Sequence, residues 1–263
     1  MSVIYRLDGH VAILTLADPR RRNALSRAMI LELNRLLTRS REDGAHALVL
    51  AAQGSAFCAG ANIDDLRSGW MEPGGSHDED PVRFFHRLSE DPRPTIAAVQ
   101  GIAAGGGLEL TLACDLVTVG VEARFVAPEL AHGVVPPLGL ALLPQIVGRR
   151  RAMDLILTRR VVESAEAMTI GIATHMAPDG DVDAAALSLA RSIVATTPPG
   201  ALAIAKHSLA RHCGLDWEAI HAVSAKVPAR EWREGLDAFI AKRQPSYARF
   251  WTDAADARNG VAS

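Results

Sequence analysis

The chain has 263 residues, 49% of them apolar and 22% charged, with a formal net charge of -2. This composition supports a sizeable core and excludes global disorder. The near-neutral balance excludes a bulk electrostatic attraction to nucleic acid or to an anionic membrane. Three cysteines, Cys58, Cys114 and Cys213, stand at no metal-ligand spacing and read as ordinary thiols. No run reaches the roughly 20 apolar residues that span a bilayer. The first ten residues lack the charged-then-apolar pattern of a leader, so a soluble, cytoplasmic protein is expected.

In chain order, "VIYRLDGHVAILTLADP" gives two apolar runs around Asp8-Gly9, a hairpin signal. A helix is predicted from about Ser26 to Glu42, with Met29, Ile30, Leu33, Leu36 and Leu37 at helical spacing. "HALVLAA" reads as a short buried strand and "QGSAFCAGAN" as a small-residue loop. Arg67 to Pro81 is polar, Gly-rich and acidic, a mobile loop by composition. A helix over "VRFFHRLSE" leads to the strand "TIAAVQG", and "LVTVG" and "ARFVAPE" are two more strands. Beyond about Gly139 the pattern is mostly helical, and no internal repeat is visible.

The segment "VQGIAAGGGLELTLACDL" raises the question of function. Three glycines, Gly105 to Gly107, stand between an apolar strand and an apolar helix that carries Glu109. A dinucleotide fingerprint fails because Leu110 stands where its third glycine should be. A P-loop fails because Gly107 and Leu108 replace its Lys and Ser/Thr. Two readings remain: tight strand-to-helix packing that tolerates no side chain, or an anion hole built on unpaired amides at a helix N-terminus. A second small-residue loop, "FCAGANIDDL", also runs from a strand to a helix, so two loops could supply two converging amides for an oxyanion.

Taken together, "SAFCAGANIDDL", "RPTIAAVQGIAAGGGLELTLACDLVTV" and "ARFVAPELAHGVVP" resemble the crotonase superfamily of the enoyl-CoA hydratase/isomerase type. The N-terminal hairpin with "NAL" and "REGLDAFIAKRQPSY" near the C-terminus extend the resemblance over nearly the whole chain. It implies an α/β fold, a crotonase-like spiral of ββα units, with a helical C-terminal trimerisation region. Residues 1–195 would form the spiral core with a CoA-thioester site, and residues 196–263 the oligomerising region that covers the site, in a homotrimer or hexamer. The implied reaction is enoyl-CoA hydration, with the acyl-CoA thioester as substrate and no cofactor, metal, nucleic acid or membrane partner. The rivals are a Δ3,Δ2-enoyl-CoA isomerase, another thioester reaction (specialised hydratase, lyase or hydrolase), and a CoA-binding relative without turnover.

By the same resemblance, the backbone amides of Ala61 and Gly106 are the oxyanion donors, and Glu109 and Glu129 are the catalytic carboxylates. Twenty positions separate these two, so only the fold can bring them together. Ala59, Asn62 and Ile63 would contact CoA. Among Arg20 to Arg22, Arg22 is the closest match for a phosphate partner. Lys242 would reach phosphate, often on a neighbouring subunit, and Phe239 would line the adenine pocket. The sequence departs from the family at Asn62, where an acid is usual, and at "GVVPPLGLALLPQ". There Pro137 replaces a glycine and removes an amide, while Leu138 and Leu140 add bulk beside the second glutamate. Pro137 and Leu138, with Trp70 and Met71 of the acidic loop, are therefore candidates for shaping the acyl pocket. His132 is the only histidine close to a candidate carboxylate in sequence.

Overall fold

In the computed structural model, residues 2–70, 76–212, 214–223, 226–247 and 250 are described. Strands β1 (Val3–Asp8) and β2 (Val11–Leu16) form the expected hairpin. Asp8 pairs with Val11, so the turn is Gly9-His10, one position later than the Asp-Gly signal implied. Gly9 supplies the positive φ of 59° that such a turn needs. Ser26 caps α1 (Arg27–Glu42) by accepting from the Met29 amide at 3.2 Å. The apolar stripe from Met29 to Leu37 is buried, as its spacing requires.

From there the chain spirals through two sheets. Strand β3 (Ala47–Ala52) enters the main sheet and β4 (Ala56–Cys58) the second one, followed by α2 (Ile63–Arg67) and α3 (Pro81–Ser89). Strand β5 (Thr95–Val99) returns to the main sheet, β6 (Ile102–Ala104) joins the second, and α4 (Gly106–Leu112) follows. A third turn places β7 (Leu116–Gly120) and β8 (Arg124–Val126) in the same way. This is the ββα spiral that the resemblance implied. Then come α5 (Pro137–Val147), α6 (Arg149–Thr158), β9 (Val162–Glu163), α7 (Ser164–Ile170), β10 (His175–Ala177) and α8 (Val182–Thr196). The helices α9 (Pro199–His212), α10 (Trp217–Val223) and α11 (Ala229–Ile240) complete the described chain.

The main sheet runs β1-β2-β3-β5-β7-β10 and is parallel except for the hairpin. Both of its faces are covered. Val182, Ala186 and Ala190 of α8 pack on one face, against Val11, Ile13, Val49 and Ile96. The larger core, with Leu14, Leu50, Phe57, Phe84, Phe85 and Phe125, fills the other. Burial on both sides explains why "HALVLAA" and "TIAAVQG" read as unbroken apolar runs.

Four local expectations change. The loop expected at "QGSAFCAGAN" contains β4, whose three residues are buried and pair with β6. The "TIAAVQG" strand ends at Val99, and the chain crosses to the second sheet at Gly101. Gly101 has φ +63°, and a Cβ there would stand 2.0 Å from the Ser55 carbonyl oxygen. Gly148 (φ +82°) divides the long helical stretch into α5 and α6. Strands β9 and β10 were not anticipated, because two or three residues carry no readable period. Cys58 and Cys114 are free thiols, and burial pushes Cys58 up to about 12; Cys213 lies outside the described residues. Among those residues no helix is long and apolar enough to cross a membrane.

Candidate active site

The segment "RNAL" fixes the first small-residue loop. The Arg22 carbonyl accepts from the Ala59 amide at 3.0 Å, the Leu25 amide donates to Gly60 at 2.7 Å, and the Asn62 amide donates to Leu25 at 2.6 Å. Arg22 and Asn23 adopt left-handed backbone, with φ of 51° and 54°. Asn23 is fully buried, and its Nδ2 donates to the Gln53 and Ala56 carbonyls at 2.8 Å each. The Asn23 side chain thus ties this segment to the start of the loop that carries Ala61.

The glycine run divides its work. Gly105 has φ +55°, and a Cβ there would stand 3.1 Å from Glu129 Oε1. Gly107 is the packing glycine, since a Cβ would fall 2.3 Å from the Cys58 carbonyl oxygen. Gly106 begins α4, and its Cβ position lies 3.8 Å from the Ala61 nitrogen; that of Gly60 lies 3.6 Å from the Gly106 nitrogen. The Ala61 and Gly106 amides therefore converge, and neither donates to a protein acceptor among the described residues. The packing reading holds at Gly107, and the amide of Gly106 is left open beside that of Ala61.

Glu109 and Glu129 are both buried and line one cavity. Glu109 Oε1 accepts from the Leu138 amide at 2.7 Å and the Gly139 amide at 3.1 Å, in the first turn of α5. Neither oxygen of Glu129 has a hydrogen-bond partner among the described residues. Burial pushes both carboxyls above the usual carboxylate range; the charge of Glu129 raises Glu109 further, and the two amides pull it back. Two buried carboxyls whose charges repel favour a single negative charge on the pair. The two amides and the N-terminal end of α5 favour that charge on Glu109. An unpartnered buried carboxyl is least costly when neutral, which leaves the proton on Glu129.

The cavity has a volume of about 1100 Å³. Ala59, Ala61, Ile63, Arg22, Gly106, Pro137, Trp70 and Phe239 all line it. Met71 lies outside the described residues. Other candidates sit elsewhere. Asn62 is not a wall residue: its side chain caps α2 by accepting from the Asp64 and Asp65 amides. Leu138 is fully buried in the core, because the turn that aims its amide at Glu109 aims its side chain inward. Its candidacy as an acyl-pocket residue is therefore corrected; the backbone is its contribution. Lys242 is exposed and off the wall in this single chain. Pro137 opens α5, where a missing amide costs nothing to the helix, and the next two amides hold Glu109. His132 lines the cavity, edge-on to the Phe239 ring at 4.8 Å.

The profile of the enoyl-CoA hydratase/isomerase family matches residues 6–249. The chain belongs to this family. It is an enzyme of the crotonase superfamily. A putative enoyl-CoA hydratase from Thermus thermophilus is 38% identical over 91% of this chain and 98% of its own length. The 1,2-epoxyphenylacetyl-CoA isomerase of Escherichia coli is 32% identical over 93% of this chain and 97% of its own. The crystal structure of carnitinyl-CoA hydratase from Mycobacterium avium superposes with a TM-score of 0.82 at 30% identity, covering 93% of this chain and 97% of that one.

Within this family site, three contributions escaped the sequence reading. Asn23 was visible only as part of "NAL". The Leu138 and Gly139 amides have no sequence signal, since any residue but proline carries one. Helix α11 and the residues just before it lay Lys226, Trp232, Arg233 and Leu236 along the cavity, where only Phe239 had been singled out.

Proposed function

We propose that this enzyme adds water across the double bond of a trans-2-enoyl-CoA to give the 3-hydroxyacyl-CoA. The observation that carries the reading is the unequal bonding of two buried carboxyls beside two converging amides. The thioester oxygen rests on the Ala61 and Gly106 amides. Ionised Glu109 takes a proton from water as the water oxygen bonds to C3, and the electron pair of the double bond moves through C2 to the thioester oxygen. Neutral Glu129 then gives its proton to C2. The proton gained by Glu109 returns to Glu129 before the next turnover. Preorganised amides aimed at the enolate supply roughly 3 to 4 kcal/mol each, and each acid–base group about 10² to 10⁴ in rate.

CoA enters as part of the substrate, so the scheme uses no resident cofactor. Arg22 faces its phosphates, with Lys242 supplied across a subunit contact. The helical region from about residue 196 serves assembly as a homotrimer or hexamer, in the cytoplasm.

The test is loss of the conjugated thioester absorbance of crotonyl-CoA, measured beside Glu109→Gln and Glu129→Gln. Turnover by the wild type with a loss of about 10² to 10⁴ in each variant supports the assignment. Activity in Glu129→Gln equal to wild type overturns it. Conversion of a 3-enoyl-CoA without hydration moves the reading to the isomerase.

A further inference from the structure

We infer that the acyl half of this cavity selects a long or aromatic apolar acyl group and rejects acyl groups that carry a hydroxyl or a charge. The inference deepens the proposed function and rests on the cavity being an acyl-CoA site. Its ground is the chemistry of the wall. Among the described residues, no Ser, Thr, Asn, Gln or Tyr side chain lines the cavity. The four cations among the described lining residues are Arg21, Arg22, Lys226 and Arg233, and the ring N–H groups outside the α2–α3 wall, His132 and Trp232, stand on the turn that begins at Glu129 and on α11. The wall made by α2 and α3 contributes no cation; there the cavity meets Leu66, Trp70, Pro81, Val82 and Phe85.

Polar groups near that wall are engaged elsewhere. The Trp70 Nε1 donates to the Glu79 carbonyl at 2.8 Å, so Trp70 has no donor left for a ligand. Asp80 Oδ1 accepts from the Val82 amide at 2.8 Å and caps α3. Asp65 accepts from the Arg27 amide at 2.9 Å, and the Glu79 carboxylate lies 3.9 Å from Arg27. None of these acids lines the cavity. A polar substituent on the acyl tail would leave water and find no partner among the described residues of this wall, whereas each added methylene gains about fourfold in affinity if fully buried. The glutamate pair cannot serve such a substituent, because water and the reacting carbons occupy it.

The experiment is calorimetric titration of the full chain with unreactive saturated thioesters: butyryl-, octanoyl-, 3-phenylpropionyl- and 4-hydroxybutyryl-CoA. Octanoyl-CoA is expected to bind tighter than butyryl-CoA on the order of 100-fold, and 4-hydroxybutyryl-CoA about tenfold or more weaker than butyryl-CoA. The octanoyl and phenylpropionyl arms separate a linear from an aromatic tail. Leu66→Asn, at a half-buried wall position, is expected to shrink the octanoyl preference about tenfold. Equal affinity for butyryl- and octanoyl-CoA, or tight binding of the hydroxylated tail, overturns the inference. Hydration of crotonyl-CoA is assayed separately. If it fails while the affinity order holds, the reaction falls and the substrate class stands; if it succeeds without that order, the reverse is true.

Discussion

Glu129 keeps both oxygens buried without a partner among the described residues, whereas two amides fasten Glu109. This difference makes Glu129 the residue whose replacement relieves the fold. Burial raises its folded pKa. Between the ordinary carboxylate range and that raised value, the folded chain keeps a proton that the unfolded chain has lost. Stability therefore falls as pH rises through the window. Glu129→Gln should raise Tm, by about 3 °C for each kcal/mol relieved, with a larger rise at pH 8 than at pH 5 by scanning fluorimetry. The same pair predicts a bell-shaped pH profile for kcat. Rate is lost on the acid side when both carboxyls are protonated and on the alkaline side when both are ionised. Burial places the alkaline limb well above the usual carboxylate range. The acids themselves were legible in the sequence only through the motifs around them. Nothing in their spacing brings positions twenty apart into one cavity; β6 and β8, paired in the second sheet, do so.

At the scale of the element, the strand-to-helix junction at α4 separates a packing glycine, Gly107, from one that offers an open amide, Gly106. Gly107→Ala would drive a Cβ to 2.3 Å from the Cys58 carbonyl, a backbone atom that cannot yield cheaply. Poor soluble yield or a large loss of Tm is expected. Gly106→Ala meets only the end of the Leu25 side chain at 3.2 Å. It should fold, yet it adds a methyl group 3.8 Å from the Ala61 nitrogen, beside the two converging amides, and under the proposed scheme hydration should fall about 10²-fold or more. Circular dichroism and the absorbance assay distinguish the two. The strut at Asn23 gives a further test. Asn23→Ala leaves the Gln53 and Ala56 carbonyls without their donor and should cost about 2 kcal/mol or more in urea unfolding. The sequence showed that the junction needed a bare backbone but could not show which glycine served packing. That distinction depends on Cys58, part of a strand of three residues that carries no period of its own. The amides of Leu138 and Gly139 were hidden for a different reason: the side chains that advertise this segment point into the core, and its chemistry is in the backbone.

Across the whole molecule, the parallel strands were readable because both faces of the main sheet are covered, which makes each strand a continuous apolar run. The C-terminal helices were readable as helices, but their place over the cavity was not, since it depends on contacts between residues about a hundred positions apart. Gly133 and Gly235 make the main contact. A Cβ on Gly133 would stand 2.4 Å from the Glu231 carbonyl, and one on Gly235 2.1 Å from the His132 carbonyl. Tyr247 adds a hydrogen bond to the Ala131 carbonyl at 3.0 Å. Gly235→Ala should lift α11 from this seat, raising KM for enoyl-CoA about tenfold while the urea midpoint of the spiral core changes little. A KM equal to that of the wild type would show that α11 does not cover the bound substrate.

The seat of α11 is the short 3-10 turn Glu129–His132, the same turn that carries Glu129 into the cavity. Helix and acid thus share one foundation. Whatever displaces α11 also displaces the backbone that holds Glu129, so under the proposed scheme the cover over the ligand and the aim of the carboxyl are set by one piece of chain.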